Sequence, residues 1–163
     1  MSEQLPTVYI ETSVISYLTA RPSSSLLGAA HQLITHQWWE HRNLYRCFIS
    51  DVVIRECRAG DPDAASRRLA SIKEFPSLTL SDQAIQISEE FLARHLMPAN
   101  ATEDALHIAI AAVYNIDFLL TWNYKHIANP IIQKRIFTYL HNLELLPPLI
   151  CTPEELLGGE DHA

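Results

Sequence analysis

The sequence predicts an α/β fold, a three-layer α/β/α sandwich around a central parallel sheet of about five strands. Three observations carry this prediction. Short runs rich in β-branched and aromatic residues alternate with longer stretches of helical periodicity along the 163 residues. A helical stretch separates each strand-like run from the next, the crossover that parallel neighbours require. No internal repeat, low-complexity tract or interdomain linker breaks the alternation. Residues 1–163 are therefore expected to form a single domain, close to the usual domain size.

The elements follow in order. Thr7-Val-Tyr-Ile-Glu11 reads as the first strand and ends in a polar turn, Glu11-Thr12-Ser13. After Arg21-Pro22 the spacing predicts a helix from Ser23 to about Arg42, with Leu26, Ala30, Leu33, Ile34 and Trp38 on roughly one face. Tyr45 to Ile49 is the second strand, and Ser50 is a good N-cap for a helix that stops at Gly60. Asp61-Pro62 restarts a helix, with Asp as cap and Pro in the first turn. Ser77 to Leu80 is the third strand, and Ser81 caps a helix on which Ala84, Ile87, Phe91 and His95 align. Met97-Pro98 breaks that helix, and Thr102 is expected to cap an alanine-rich, buried one running to about Tyr114. Asp117 to Thr121 is the fourth strand. Asn129-Pro130 opens another helix, Leu149 to Cys151 is the fifth strand, and Thr152-Pro-Glu-Glu155 starts a last short helix.

Composition narrows the class. Hydrophobic residues make up 48% and charged residues 19%, a globular balance that can build a core without disulfides or a structural metal. Cys47, Cys57 and Cys151 are odd in number and lack zinc-ligand spacing, so they read as small buried residues of a reducing compartment. Met1 to Pro6 shows no basic start followed by an apolar stretch, and no apolar run approaches the roughly 20 residues of a membrane span. A cytoplasmic location is expected. The net charge of −7 argues against a nucleic-acid binder, but a cation-loaded acidic cluster would offset part of it. The arginines also group locally, as Arg42 and Arg46, Arg55 and Arg58, and Arg67 and Arg68.

Parallel sheets with right-handed crossovers put all strand C-terminal ends on one edge, where ligands bind. Glu11 ends the first strand, and Asn123 comes two residues after Thr121 ends the fourth. Glu56 lies on the helix after strand two, and Asp104 is in the first turn of the helix before strand four. Four oxygen-bearing side chains from separate segments can thus converge at that edge. Ionised carboxylates in one cleft repel each other unless a counter-charge is present. Mg²⁺ or Mn²⁺ suits such donors and promotes phosphodiester hydrolysis. With 19 acidic residues in the chain, this spacing alone is a weak signal.

The run Val8 to Leu18 resembles the opening strand of PIN domains, in which an acidic residue, a small residue and Ser or Asn precede an apolar helix. Ile49 to Gly60 resembles the second acidic segment of that family, Glu103 to Ala112 the third, and Phe118-Leu-Leu-Thr-Trp-Asn123 the strand bearing a fourth polar ligand. Thr152 to Leu156 resembles the closing segment. The ordered set spans nearly the whole chain and points to a PIN-like, Rossmann-like sandwich of the VapC toxin type. The resemblance implies a Mg²⁺- or Mn²⁺-dependent endoribonuclease acting on single-stranded RNA, with an antitoxin partner and often a homodimer. It assigns Glu11, Glu56, Asp104 and Asn123 as metal-binding, catalytic residues. The chain departs from the family in having Glu11 where Asp is commoner and Asn123 where many members have a second Asp; Asn brings an oxygen but no charge.

Other readings compete at single positions. Glu11 can be a solvated strand-end carboxylate, Glu56 a surface residue paired with an arginine, Asp104 a first-turn acid favoured by the helix dipole, and Asn123 a turn former. Ser13 either caps the following helix or hydrogen-bonds a metal-bound water. His107, one turn after Asp104, is either core or a partner of the site. Lys125 and His126 either contact phosphate or belong to a solvated loop. His31, His36 and His41 recur every five residues, about 140° apart, and are expected on the surface. Trp38 and Trp39, about 100° apart on a helix, cannot both point inward, so one is expected to reach a surface and meet a partner. Two other functions remain open. One is a PIN-like binding module without catalysis; the other is an acidic-pocket phosphoacceptor or phosphatase. A first strand ending in Glu-Thr-Ser rather than Asp-x-Asp speaks against the phosphatase.

Overall fold

The computed structural model describes residues 4–160, together with the side chains of residues 4–158. Met1 to Glu3, the start of the segment read for a leader, lie outside the described residues. The strands are β1 (Thr7–Ile10), β2 (Arg46–Ser50), β3 (Ser77–Leu78), β4 (Phe118–Leu120) and β5 (Leu149–Cys151). The helices are α1 (Thr12–Thr19), α2 (Leu26–Glu40), α3 (Asp51–Arg58), α4 (Pro62–Ser71), α5 (Asp82–Ala93), α6 (Thr102–Val113), α7 (Pro130–Asn142) and α8 (Pro153–Glu160). The strands form one five-stranded sheet in the order β3-β2-β1-β4-β5, and every pairing is parallel. The fold class matches the expectation.

Strand order has a direct consequence for function. The chain steps from β1 outward to β2 and β3, then returns across β1 to place β4 on its other side. Right-handed crossovers in opposite directions put their helices on opposite faces. The helices group accordingly: α1 packs with α2, α3 and α4, α2 with α8, and α5 with α6. The point where the order reverses lies between β1 and β4, and its C-terminal crevice is the ligand position in sheets of this kind. Tyr9 pairs in register with Leu119, and Ile10 with Leu120. Glu11 N–H then donates to Leu120 C=O at 3.0 Å, so the segments leaving the two strands stay side by side into the crevice.

The core is built from the strands, from Val14 and Ile15 of α1, from Phe91 of α5, and from α6, where every residue from Ala105 to Ala112 is buried. Helix α6 is thus buried, as its alanine-rich composition suggested. Cys47, Cys57 and Cys151 are buried free thiols, as expected. Ser50, Asp61 and Ser81 accept hydrogen bonds from Val53, Ala64 and Ala84 N–H at the starts of α3, α4 and α5, also as expected. Gly60, at φ +85°, takes the left-handed conformation between α3 and α4. At α8, Thr152 Oγ1 accepts from Glu155 N–H while Glu155 Oε1 accepts from Thr152 N–H, a reciprocal capping box.

Several local expectations fail. The turn at Glu11-Thr12-Ser13 is the start of a helix: Glu11 is the N-cap of α1 and its carboxylate accepts Ser13 N–H, so Ser13 is not the cap. Helix α2 begins at Leu26 with Ser25 as cap, three residues after the expected start. Its buried face carries His31, Thr35 and Trp38, whereas Leu26, Ala30 and Leu33 are exposed. His31 is therefore buried rather than on the surface, because its ring stacks on Trp122 at 4.0 Å and that contact replaces solvent. His36 and His41 are exposed, as expected. His95 does not continue the face of Ala84, Ile87 and Phe91. It sits exposed at φ +56° beyond α5, where Leu96 N–H bonds back to Phe91 C=O and ends the helix. Thr102 lies in the first turn of α6 rather than at its cap, which is Ala101 without a side-chain bond. Trp38 is fully buried, while Trp39 is half-buried between the Phe75 ring and the Arg42 guanidinium. Among the described residues no helix is long and apolar enough to cross a membrane.

Candidate metal centre

Glu11, at the end of β1, is buried although ionisable. Its Oε1 accepts from the Ser13 and Thr121 hydroxyls, each at 2.5 Å, and its Oε2 accepts Ser13 N–H at 3.0 Å. Thr121 comes from the segment after β4, 110 residues away, so these bonds tie the two lips of the crevice together. Ser13 Oγ also accepts Trp122 N–H at 2.9 Å, and Thr121 Oγ1 accepts Asn123 N–H at 2.9 Å.

Glu56 reaches the same place from α3. Its Oε1 accepts from the Thr12 hydroxyl at 2.7 Å and lies 2.6 Å from His107 Nε2. A nitrogen that close to a carboxylate oxygen carries the proton, so His107 donates to Glu56. His107 is wholly buried, and its Nδ1 lies 2.6 Å from the Tyr9 hydroxyl, which in turn lies 2.7 Å from Ser50 Oγ. Ser50 Oγ accepts Val53 N–H at 3.2 Å. A chain of buried polar groups thus runs from the start of α3 through β1 to α6 and back to α3.

These contacts move the titrations. Burial alone would push the Glu56 carboxyl up; the hydrogen bond and charge of His107 and the Thr12 hydroxyl outweigh it and hold it below its ordinary value. Burial would likewise lower His107, but the Glu56 hydrogen bond and the charges of Glu11, Glu56 and Asp104 raise it. Burial raises the Tyr9 phenol well above its ordinary value, so it stays neutral.

Among the described residues, Glu11, Glu56 and His107 place donor atoms within 4.8 Å of one another. Asp104 stands outside that group. Its Oδ1 accepts from Asn123 Nδ2 at 3.0 Å, and its Oδ2 lies 2.8 Å from His126 Nδ1. The Asn123 oxygen accepts Lys125 and His126 N–H at 3.2 and 3.1 Å. Those two bonds engage the oxygen and turn the amide nitrogen toward Asp104. Asn123 therefore combines the turn-forming reading with an orienting role at Asp104. His126 belongs to the same network, while Lys125 is exposed.

The donor chemistry fits a hard divalent ion: two carboxylates held by hydroxyls and an imidazole, with a third carboxylate, Asp104, in the first turn of α6. With its Nε2 proton engaged by Glu56, His107 fits as an orienting partner of a ligand rather than as a ligand. Sequence reasoning missed Thr12, Thr121 and Tyr9. Thr12 follows the first strand-like run and Thr121 ends the fourth, both at the C-terminal edge, a positional signal that could have found them. Tyr9 is the one residue with a polar tip in Val8-Tyr-Ile10.

The parallel sandwich is shared with known structures. A chain of VapBC2 from Rickettsia felis, solved bound to a DNA fragment from its promoter, superposes with a TM-score of 0.57 at 15% identity, over 90% of this chain and 98% of that one. VapC20 from Mycobacterium tuberculosis, a sarcin-ricin loop cleaving toxin, superposes with a TM-score of 0.57 at 17% identity, over 72% of this chain and 91% of that one. No protein-family model matches the sequence, and no curated protein matches it significantly. The fold of this chain is the PIN fold of the VapC proteins.

Proposed function

We propose that this chain is a single-domain endoribonuclease of the PIN type, dependent on Mg²⁺ or Mn²⁺, and the toxin of a toxin–antitoxin pair. The observation that carries the reading is the meeting of Glu11 and Glu56, from β1 and α3, at the C-terminal edge of a VapC-like sheet. Glu11, Glu56 and Asp104 would hold the ion, with Asn123 at the same site. A bound divalent ion supplies a water of lowered pKa and neutralises charge on a phosphate under attack. The chain's own residues orient the donors: Thr121 and Ser13 fix Glu11, Thr12 and His107 fix Glu56, and Asn123 and His126 fix Asp104. No protein nucleophile is needed.

Cleavage of the sarcin-ricin loop by VapC20 supports an RNA substrate, and the VapBC2 complex supports an antitoxin partner. Leu26, Leu27 and Leu33, exposed on α2, offer apolar surface to such a partner or to a second copy in a homodimer. The deciding experiment incubates purified protein with single-stranded RNA and Mn²⁺, beside EDTA, Glu56→Gln and Asp104→Asn controls. Loss of cleavage in all three controls is expected; equal cleavage by wild type and variants rejects the assignment. A second reading, a binding module without catalysis, is favoured by one observation: the Asn123 oxygen is engaged by backbone N–H groups, leaving three carboxylates. Failure to bind Mn²⁺ at millimolar concentration in calorimetry would select it.

A further inference from the structure

The segment after β4 carries an aromatic cluster that the metal site does not use. The His31 ring stacks on Trp122 with centroids 4.0 Å apart and planes 16° apart, and Tyr17 meets both rings edge-on at 5.2 and 6.2 Å. The Trp122 indole N–H donates to Thr35 Oγ1 at 2.8 Å, and Thr35 donates to His31 C=O at 2.6 Å, so the stack is fixed. Tyr124 closes this cluster on its outer side, 6.1 Å from His31 and 6.3 Å from Trp122, and remains 51% exposed.

Its position is specific. Tyr124 follows Asn123, whose amide contacts Asp104, and its loop is pinned by the Trp122, Asn123, Lys125 and His126 N–H groups. An exposed ring is thus held on a hydrogen-bonded loop, one residue after the amide that contacts Asp104. We infer that Tyr124, backed by His31 and Trp122, is a stacking platform for an unpaired nucleobase next to the phosphate that the acidic centre receives. This rests on the ribonuclease reading above.

Electrostatics favours a base over a phosphate there. The chain has 12 basic against 19 acidic residues, so ionic contact with the RNA backbone supplies little affinity. Burial, then the charges of Glu154 and Glu155, raise the Tyr124 phenol above its ordinary value, and acidic charge acting on the ring disfavours a phosphate there. Stacking needs no charge and tolerates any base sequence. It also requires an unpaired base, which selects single-stranded RNA.

The test uses the full chain and a short single-stranded RNA carrying 2-aminopurine, whose fluorescence falls on stacking. Binding is measured in Ca²⁺ and cleavage in Mn²⁺, for wild type, Tyr124→Phe and Tyr124→Ala. Tyr124→Phe should retain both the quench and the affinity. Tyr124→Ala should lose the quench and bind about 5- to 150-fold more weakly, the range for one lost base–aromatic stack. Its deficit should be the same at low and high salt, because no phosphate contact is removed. Exposure of Tyr124 leaves the core intact in both variants, which unchanged circular dichroism would verify. If wild type cleaves and Tyr124→Ala binds RNA equally well, the platform is refuted, the ribonuclease stands, and the ring becomes a protein contact. If wild type neither binds nor cleaves RNA, the ribonuclease reading falls and the platform with it.

Discussion

Replacing Tyr9 with phenylalanine removes one oxygen atom from the middle of the buried chain Ser50–Tyr9–His107–Glu56 and leaves the ring in place. Tyr9, Ser50 and His107 are all fully shielded from solvent, so water cannot take over the lost contacts. Ser50 Oγ keeps the Val53 N–H and is only partly deprived. His107 Nδ1 keeps nothing, and an orphaned buried polar atom costs about 1–3 kcal/mol. The net value of the lost Ser50 bond adds about 1 kcal/mol. The sum is roughly 2–4 kcal/mol, and at about 2–4 °C per kcal/mol for a chain of this size, Tm should fall by roughly 4–16 °C. Urea unfolding should show a lower midpoint with an unchanged slope. Tyr114→Phe is the control: its hydroxyl also makes a 2.8 Å bond, to Thr79 C=O, but at an exposed site, and should cost about 0.5 kcal/mol or less. A Tyr9→Phe protein within about 0.5 kcal/mol of wild type would refute the claim that this chain of bonds is a buried, closed network.

Three further outcomes are expected. Mn²⁺ at about 100 times its Kd should stabilise the protein by about 2.7 kcal/mol, an increment that EDTA reverses and Glu56→Gln abolishes; thermal melts with and without the ion read it directly. Burial pushes the Cys47, Cys57 and Cys151 thiols up to about 12, 11 and 12. A thiol reagent at pH 8 should therefore label none of them until urea unfolds the chain, and stability should fall above about pH 8.5, where only the unfolded thiols ionise. Burial lowers His31 below the usual histidine value, so the unfolded state takes up its proton first as pH falls. The stability held above about pH 6.5 is lost on acidification through that lowered value. His31→Gln should flatten this part of the pH–stability curve, and an unchanged curve would contradict the burial argument.

The sequence carried the fold class and the acidic residues because both leave local marks. A strand followed by a helix is visible as a change of period from two to 3.6, and Ser50, Asp61 and Ser81 show where helices begin. Glu11 at a strand end and Asp104 in a first helical turn could be placed at one edge by the handedness of crossovers alone. Periodicity failed on α2, where Leu26 and Leu33 keep helical spacing yet face solvent. The inner face is set by what the helix packs on, and Trp122 draws in His31 and Thr35 instead. At His95, helix termination was decided by the positive-φ turn and the bond from Leu96 back to Phe91 rather than by hydropathy.

The sequence by itself determined that strands and helices alternate, that the sheet is parallel, and that acidic side chains fall at its C-terminal edge. Tertiary structure alone decided that β4 lies beside β1, and with it that Thr121 meets Glu11 across 110 residues. It also decided that His107 turns inward between Tyr9 and Glu56, and that Asn123 grips Asp104 while its oxygen caps a turn. The physical reason is one of range. Period and capping act within a few residues and can be read along a chain, whereas hydrogen bonds between distant side chains exist only once the sheet has chosen its neighbours.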